Sequence, residues 1–160
     1  MAEQKTNVMR TLEQKKIKYS VHSYPHDGSA VDGVTVAAAI GAEPASVYKT
    51  LVTRGASNTV YVFDIPVDRE LDLKKAAKAA GEKSVSMIRA DEITALTGYV
   101  RGGCSPIGMK KQYRTFIYTE AQQQESIVIS AGKIGWQVRL APHDLMTLCR
   151  ASFADICTEV

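Results

Sequence analysis

The sequence predicts a mixed α/β fold in which a curved, partly closed and largely antiparallel sheet has helices on its outside. Three observations favour this class. Short β-branched and aromatic runs dominate the middle of the chain, and helical patterns with capping residues flank them. The two kinds of element do not alternate regularly, as a parallel βαβ sheet would require. A length of 160 residues suits one core, so a single domain is predicted over 1–160.

The elements of the first half follow from caps, stops and alternation. Thr6 and Thr35 are predicted N-caps, and Gly41 ends the second helix. Residues 55–58 have the composition of a hairpin turn. In chain order, the predicted elements are a helix at 6–16, a strand at 17–23, a helix at 36–40, a strand around 51–53 and a strand at 59–65.

The second half is predicted in the same way. Asp72 and Asp91 are taken as N-caps of two short helices, and Gly81 ends the first of them. The predicted elements are a helix at 73–80, a strand at 85–88, a helix at 92–96, strands at 115–118, 126–130 and 137–140, a helix at 143–149, and a tail at 155–160.

Composition excludes several classes of protein. The formal net charge of +3 permits an RNA or phosphate partner but does not require one. The three cysteines are odd in number and form no CxxC pair, which argues against a disulfide framework or a zinc knuckle and favours a reducing compartment. No apolar run approaches the ~20 residues of a membrane helix. We therefore expect a cytoplasmic protein without a membrane partner.

Two glycine-rich segments are candidates for binding through backbone amides. The segment 98–108 contains four glycines and a proline, and a second glycine-rich turn lies at 130–135. Glycine is favoured where the backbone needs a positive φ or approaches a ligand closely. Together with Lys49 upstream, these segments indicate a small site for an oxyanion or a carbonyl group.

Other reactive side chains have simpler explanations. Cys104 lies in an exposed-looking turn, yet no partner histidine is identifiable, so a small packing residue is the favoured interpretation. His22 and His26 have a helical spacing that Pro25 interrupts, which argues against a zinc pair. We expect neither a metal nor an organic cofactor.

Four motifs taken in order carry a resemblance to a known family. They are Val-Tyr-Lys-Thr-Leu at 47–51, Leu-Asp-Leu-Lys-Lys at 71–75, the loop through 97–108, and Ser-Ala-Gly-Lys at 130–133. Over nearly the whole chain the sequence resembles the YbaK family of free-standing aminoacyl-tRNA editing proteins, the Cys-tRNA(Pro) deacylases. The resemblance implies hydrolysis of cysteine from mischarged tRNA(Pro), with prolyl-tRNA synthetase as a possible partner.

The resemblance also assigns residues. It places the family's functional lysine on Lys49, its loop glycines on Gly102 and Gly103, and its pocket residues on Tyr24, Thr50 and Ser130. Two positions depart from the family: Asp32 stands where its well-described members have phenylalanine, and Gln137 where they have aspartate. These departures bear on how strictly the pocket selects cysteine, whereas the Lys-Thr pair favours the cysteine branch over the alanine-editing one.

The implied chemistry needs few groups. The family is thought to use the thiol of the bound cysteine as its own nucleophile, releasing a thiolactone, so a lysine and backbone donors could suffice. Lys110, Lys111 and Arg114 follow the main loop and are the candidates for RNA phosphates. Two alternatives remain: an Ala-tRNA or Ser-tRNA hydrolase that uses bound water, and a non-catalytic module that binds nucleotides or RNA.

Overall fold

The structure is a computed structural model that describes residues 5–159. The helices are α1 Asn7–Gln14, α2 Gly33–Ala39, α3 Leu73–Ala80, α4 Ala90–Thr97 and α5 Pro142–Cys149. The strands are β1 Tyr19–Ser23, β2 Tyr48–Gly55, β3 Val60–Pro66, β4 Val85–Met87, β5 Arg114–Tyr118, β6 Ile127–Ser130, β7 Trp136–Leu140 and β8 Ser152–Ala154. Short 3₁₀ turns occupy Pro44–Ser46 and Thr119–Gln123. None of the described helices combines the length and apolar character needed to cross a membrane.

The described strands form two sheets. One is antiparallel with the order β1-β7-β6, and the other has the order β4-β2-β3-β5-β8. In the larger sheet β3–β5 and β5–β8 are parallel pairs and the others antiparallel. A single bridge between Val47 and Val128 joins the sheets. The predicted mixed α/β class is confirmed, but the described strands make two sheets in place of one, and the larger sheet does not close.

Helix caps are the best-predicted local features, with two corrections. Asp72 accepts hydrogen bonds from two amides at the start of α3, and Gly81 ends that helix with φ +73°. Asp32, not Thr35, caps α2, because its carboxylate accepts from the Thr35 amide. The cap of α4 is Arg89, whose amide donates to the Glu92 carboxylate. Asp91 lies inside the first turn, where its negative charge interacts favourably with the positive end of the helix dipole.

The C-terminal segment is packed, contrary to the predicted tail. The three residues of β8 were not predicted and add to β5 as a parallel edge strand. Ile156 is fully buried, and Cys157 forms a bridge with Leu71. The Lys75 ammonium donates to the Cys157 carbonyl and to the carboxylates of Asp155 and Glu159. Residues 155–159 are therefore held against the segment 70–75 at the start of α3.

The main core lies between the larger sheet and its covering elements. Phe63 and Phe116 stack at a centroid separation of 5.3 Å, and Ile65 and Ile117 on the same two strands are fully buried. Small alanines on α3 let that helix approach the sheet closely. This core supports β3 and, through antiparallel pairing with it, β2, beside which the candidate site lies.

Candidate active site

A cavity of about 740 Å³ opens where β2 meets the ends of β6 and β7. Its walls come from the loop before α2, from β2, from residues 87–93 of β4 and α4, and from the 98–108 loop, with Ser130 and Gln137 at the ends of β6 and β7. Seven of the eight residues predicted for catalysis or substrate binding line it, and Gly103 is the one that does not. Those seven are Tyr24, Asp32, Lys49, Thr50, Gly102, Ser130 and Gln137. The structure therefore brings them together, while their roles stay predictions.

The backbone of the main loop turns sharply at Gly102. The Gly103 amide donates to the Val100 carbonyl at 3.0 Å, and Gly102 at the third position of this turn has φ +88°. A Cβ on Gly102 would lie 2.7 Å from the Cβ of Ala30, so both the backbone angle and the space require glycine. In the described part of the chain the Gly102 amide has no acceptor. It is thus available to a ligand in the cavity.

Gly103 has a different place from the one expected. We expected both glycine amides to face a ligand, but the Gly103 amide is already used in the turn, and the residue is buried. A Cβ there would lie 3.1 Å from the amide nitrogen of Ile134, within the second glycine-rich turn. Gly103 thus allows the two segments to touch, and of this pair only Gly102 offers a free amide.

Ser130 connects these two segments. Its hydroxyl donates to the Gly103 carbonyl at 3.0 Å and accepts from the Gly132 amide at 3.1 Å. The hydroxyl is therefore committed to the loop and the turn, although the residue lines the cavity. Through these two hydrogen bonds Ser130 holds the main loop and the second glycine-rich turn together.

Lys49 and Thr50 occupy neighbouring positions of β2 with different surroundings. By register Lys49 lies opposite Ile65 and Thr50 opposite Asp64. The Thr50 hydroxyl donates to the Asp64 carboxylate at 2.6 Å. Lys49 is half-buried, and within residues 5–159 its ammonium has no ion pair or hydrogen bond. A cation without a partner beside a cavity is suited to an anionic or carbonyl group of a ligand.

Asp64 was not predicted as part of the site. It lies in the middle of β3, in a run that the sequence identifies as a buried strand, and it is completely buried. Burial raises the pKa of its carboxyl from an ordinary value near 3.8 to about 7, and the hydrogen bond from Thr50 opposes part of that rise. The signal available in the sequence was one acidic residue within an otherwise apolar strand.

The remaining predicted pocket residues differ in whether their polar groups already have hydrogen-bond partners within the described chain. The Asp32 carboxylate accepts from the amide and the hydroxyl of Thr35, so it caps α2 at the edge of the cavity. Tyr24 is buried and its amide donates to the Gly135 carbonyl. The Gln137 side chain has no hydrogen-bond partner among the described residues, although it is only 6% exposed. Gln137 is therefore the freer polar contact for a ligand.

Comparison with known proteins identifies the family. A model of the aminoacyl-tRNA editing domain matches residues 29–148, which include every cavity segment except the one that carries Tyr24. The chain belongs to the aminoacyl-tRNA editing domain family. The YbaK-type resemblance found in the sequence is thereby confirmed, and with it the enzyme class of aminoacyl-tRNA deacylases.

Relatives and solved structures agree with this assignment of the editing domain. A protein of Enterococcus faecalis, named "Putative Cys-tRNA(Pro)/Cys-tRNA(Cys) deacylase EbsC", is 46% identical over 98% of this chain and 96% of its own. The crystal structure of "a putative trans-editing enzyme for prolyl tRNA synthetase" superposes with a TM-score of 0.82 at 25% identity and covers 95% of both chains. The "hypothetical protein APE2540" shares the fold, with a TM-score of 0.84 at 22% identity over 94% of this chain and 99% of its own.

Two further residues of the editing domain face the cavity. Arg101 lines it next to Gly102 and adds a second cation, which sequence reasoning overlooked because the loop was interpreted through its glycines. Cys104 also lines it, but burial raises the pKa of its thiol to about 12. A thiol held neutral at physiological pH is a poor nucleophile. This supports the interpretation of Cys104 as a packing residue.

The structure separates the three predicted RNA-binding residues of the editing domain. The stem of Lys110 lies against Gly98, and the Lys111 ammonium lies 6.0 Å from the ring centre of Tyr113. The Arg114 guanidinium lies over Phe116 at 4.9 Å and donates to the Ala80 carbonyl on α3. None of the three lines the main cavity. Arg114 is engaged in packing, whereas Lys110 is adjacent to the main loop.

A second concavity of about 690 Å³ is lined by residues of α1, of the main loop and of the second glycine-rich turn. Its lining residues Tyr99 and Gly132 belong to the same two segments as Arg101, Gly102 and Ser130, which line the first cavity. Three cations line it: Lys5, Arg10 and Lys133. Of these, Lys5 is paired with Glu13 at 2.7 Å. We refer to this concavity as the basic cleft.

Among the described residues, no group of three or more His, Cys, Asp or Glu side chains is placed to hold a metal ion.

Proposed function

We propose that this editing domain removes cysteine from mischarged tRNA(Pro). The observation that carries the proposal is that one cavity is lined by both Lys49 and Gly102, whose ammonium and amide have no partner within residues 5–159. The name of the 46%-identical relative supports cysteine as the amino acid. The name of one structural neighbour supports tRNA(Pro) and an association with prolyl-tRNA synthetase.

The reaction we propose uses the substrate's own thiol. The thiol loses its proton, the sulfur bonds to the ester carbonyl carbon, and the ester C–O bond breaks as a cyclic thiolactone forms. The ribose oxygen then takes up a proton. The Gly102 amide would stabilise the developing oxyanion, and Lys49 would hold the ribose or terminal phosphate; one such donor is worth ~10²–10³ in rate. Serine and alanine would be spared because neither carries a thiol.

A substrate panel tests this function. Deacylation is measured on labelled Cys-tRNA(Pro), Cys-tRNA(Cys), Ala-tRNA(Pro), Ser-tRNA(Pro) and Pro-tRNA(Pro), with trapping of any thiolactone. We expect rapid loss of cysteine with transient thiolactone, and little loss of the other amino acids. Release of alanine or serine at the same rate would favour hydrolysis by bound water. Tight binding without release of any amino acid would favour the non-catalytic module.

We further propose that the acceptor stem of the tRNA lies along the basic cleft. Arg10 and Lys133 line this cleft, and Lys110 lies beside Gly98 at its edge. The cleft adjoins the cavity through the same loop, so an RNA whose 3′ end enters the cavity would place its backbone phosphates here. Of the sequence-based candidates this path uses Lys110, whereas neither Lys111 nor Arg114 lines the cleft.

The double substitution Arg10→Gln and Lys133→Gln should weaken tRNA binding roughly 10-fold and lower the salt slope of log K by about 1.5, because two phosphate contacts are lost. Binding is measured by filter retention between 50 and 200 mM salt. The matched control is Lys78→Gln with Lys83→Gln, which removes the same charge from exposed positions on and beyond α3. Equal salt slopes for the two double variants would contradict the proposed path.

A further inference from the structure

Asp64 is a buried acid whose only hydrogen-bond partner among the described residues is a residue of the cavity. Its Oδ1 accepts from the Thr50 hydroxyl at 2.6 Å, and its Oδ2 has no partner within the described chain. Its side chain is fully buried, and no lysine or arginine of the described part pairs with it. Thr50, in contrast, lines the cavity. The Thr50 hydroxyl thus links the buried Asp64 carboxylate to the cavity.

Such an arrangement is costly for the fold. A buried carboxylate with an unsatisfied oxygen and no cation destabilises the native state, and a strand interior is normally filled by an apolar side chain. Asparagine would fit the same space without the charge. The position therefore has no structural reason to carry an acid, which points to a use of its charge.

The described titratable groups that interact electrostatically with Asp64 are neutral near pH 7. They are Tyr48 on its neighbouring strand, Cys104 in the main loop and Cys149 on α5, and the pKa of each is raised by burial, with a smaller contribution from Asp64. The two thiols reach about 12. Lys49 precedes Thr50 in β2 and pairs with Ile65. Because neighbouring residues of a strand alternate between its two faces, Lys49 belongs to the face opposite that of Thr50 and Asp64. Within this cluster the Asp64 carboxyl is the group that titrates near neutrality.

We propose that Thr50 and Asp64 form a proton-accepting pair for the nucleophile of the editing reaction. The inference rests on the proposed function, in which the Lys49 ammonium and the Gly102 amide act as donors and neither serves as a base. Because the Thr50 hydroxyl gives its proton to Asp64, the lone pairs of its oxygen remain for a donor in the cavity. The donor we assign is the thiol of the bound cysteinyl ester.

The proton movement can be written in full. The substrate S–H donates to Thr50 Oγ1, and as sulfur attacks the carbonyl carbon the proton moves to that oxygen while the Thr50 proton moves to Asp64 Oδ1. The C–S bond forms and the ester C–O bond breaks, and the ribose oxygen takes a proton from water. Asp64 then returns its proton to solvent through Thr50. Asp64 accordingly acts through Thr50 and does not touch the substrate.

The kinetic test compares Asp64→Asn and Thr50→Val with wild type on Cys-tRNA(Pro) between pH 5.5 and 8.5. Wild type should lose kcat below about pH 7 as Asp64 becomes protonated. Each variant should lose roughly 10²-fold in kcat with little change in KM, and this limb of the pH profile should vanish. Ionisations of the substrate remain in every profile and serve as the internal reference. Thr50→Ser should restore the rate and the limb.

The double variant provides a sharper criterion. If the two residues act as a unit, Asp64→Asn combined with Thr50→Val should be no slower than either single variant. Multiplying losses would overturn the proposal, as would an Asp64→Asn enzyme with the wild-type pH profile. An inactive wild type would instead refute the proposed function, so the two failures are distinguishable.

Thermal unfolding at pH 5 and pH 8 separates this role from a structural one. The pKa of Asp64 is higher in the folded than in the unfolded chain, so its contribution to stability is present below the unfolded pKa and is lost as the pH rises through about 7. Asp64→Asn should therefore equal or exceed wild type in stability at pH 8. An Asn variant that is markedly less stable at both pH values would indicate a structural role and contradict the proposal.

Discussion

Replacing Lys49 by alanine is expected to lower kcat/KM for Cys-tRNA(Pro) by about 10²-fold or more, with almost no change in stability. The ammonium has no partner in the described chain, so its removal leaves no buried group unpaired. Its only interactions would be with a ligand in the cavity. The loss should therefore fall on the reaction and not on the fold.

Single-turnover deacylation and thermal unfolding together check this result. Lys49→Arg keeps the charge but changes the donor geometry, and we expect it to retain a small part of the activity. Lys83→Ala is the control, since Lys83 is exposed and lies far along the chain, beyond α3. If Lys49→Ala kept near-wild-type kcat/KM, Lys49 could not be the residue that holds the ribose or terminal phosphate in place.

The second large effect is expected at Gly102, where an alanine should displace the 98–108 loop from its present position. A side chain at φ +88° costs roughly 1–2 kcal/mol in backbone strain. The added Cβ would also lie 2.7 Å from Ala30 Cβ and 2.9 Å from Ala30 Cα, which one flexible side chain cannot relieve. Overpacking of this kind costs roughly a further 1–3 kcal/mol. Displacement of the loop would move the free amide, so we expect deacylation to fall by more than 10-fold.

Gly81 is a control that separates the cost of backbone strain at Gly102 from the cost of its close contact with Ala30. Gly81→Ala has the same left-handed backbone, with φ +73°, but nothing lies within 4 Å of its Cβ. Its loss in unfolding free energy should reflect the backbone term alone, with normal activity. Equal stability losses for Gly102→Ala and Gly81→Ala would show that Ala30 yields without cost and that the close approach is unimportant.

Local chemistry made much of the fold predictable. The bounds of α3 follow from Asp72 and Gly81, whose cap and left-handed stop act within a few residues. The division into two sheets was not predictable in the same way, because pairing joins strands that are distant in sequence. The strand β8 has only three residues, too few for alternation to indicate it.

The predictability of the site residues also depends on whether their contacts are local in the chain or distant. The glycine loop and Lys49 are visible as local motifs, and the resemblance supplied Tyr24 and Ser130. The contribution of Asp64 depends on Thr50, which lies 14 residues away and becomes its neighbour only through the register of β2 and β3. The sequence likewise gives no sign that the Gly103 amide is consumed within its own turn, since that depends on how the loop closes on itself.

The Ser130 hydroxyl has a consequence for anyone who redesigns this enzyme. It donates to one glycine segment and accepts from the other, and Gly103 lets their backbones touch. Exchanging either segment for that of a homologue would therefore displace the other segment. Grafts intended to change which amino acid is removed should therefore transplant both segments and the serine together, as one inherited module.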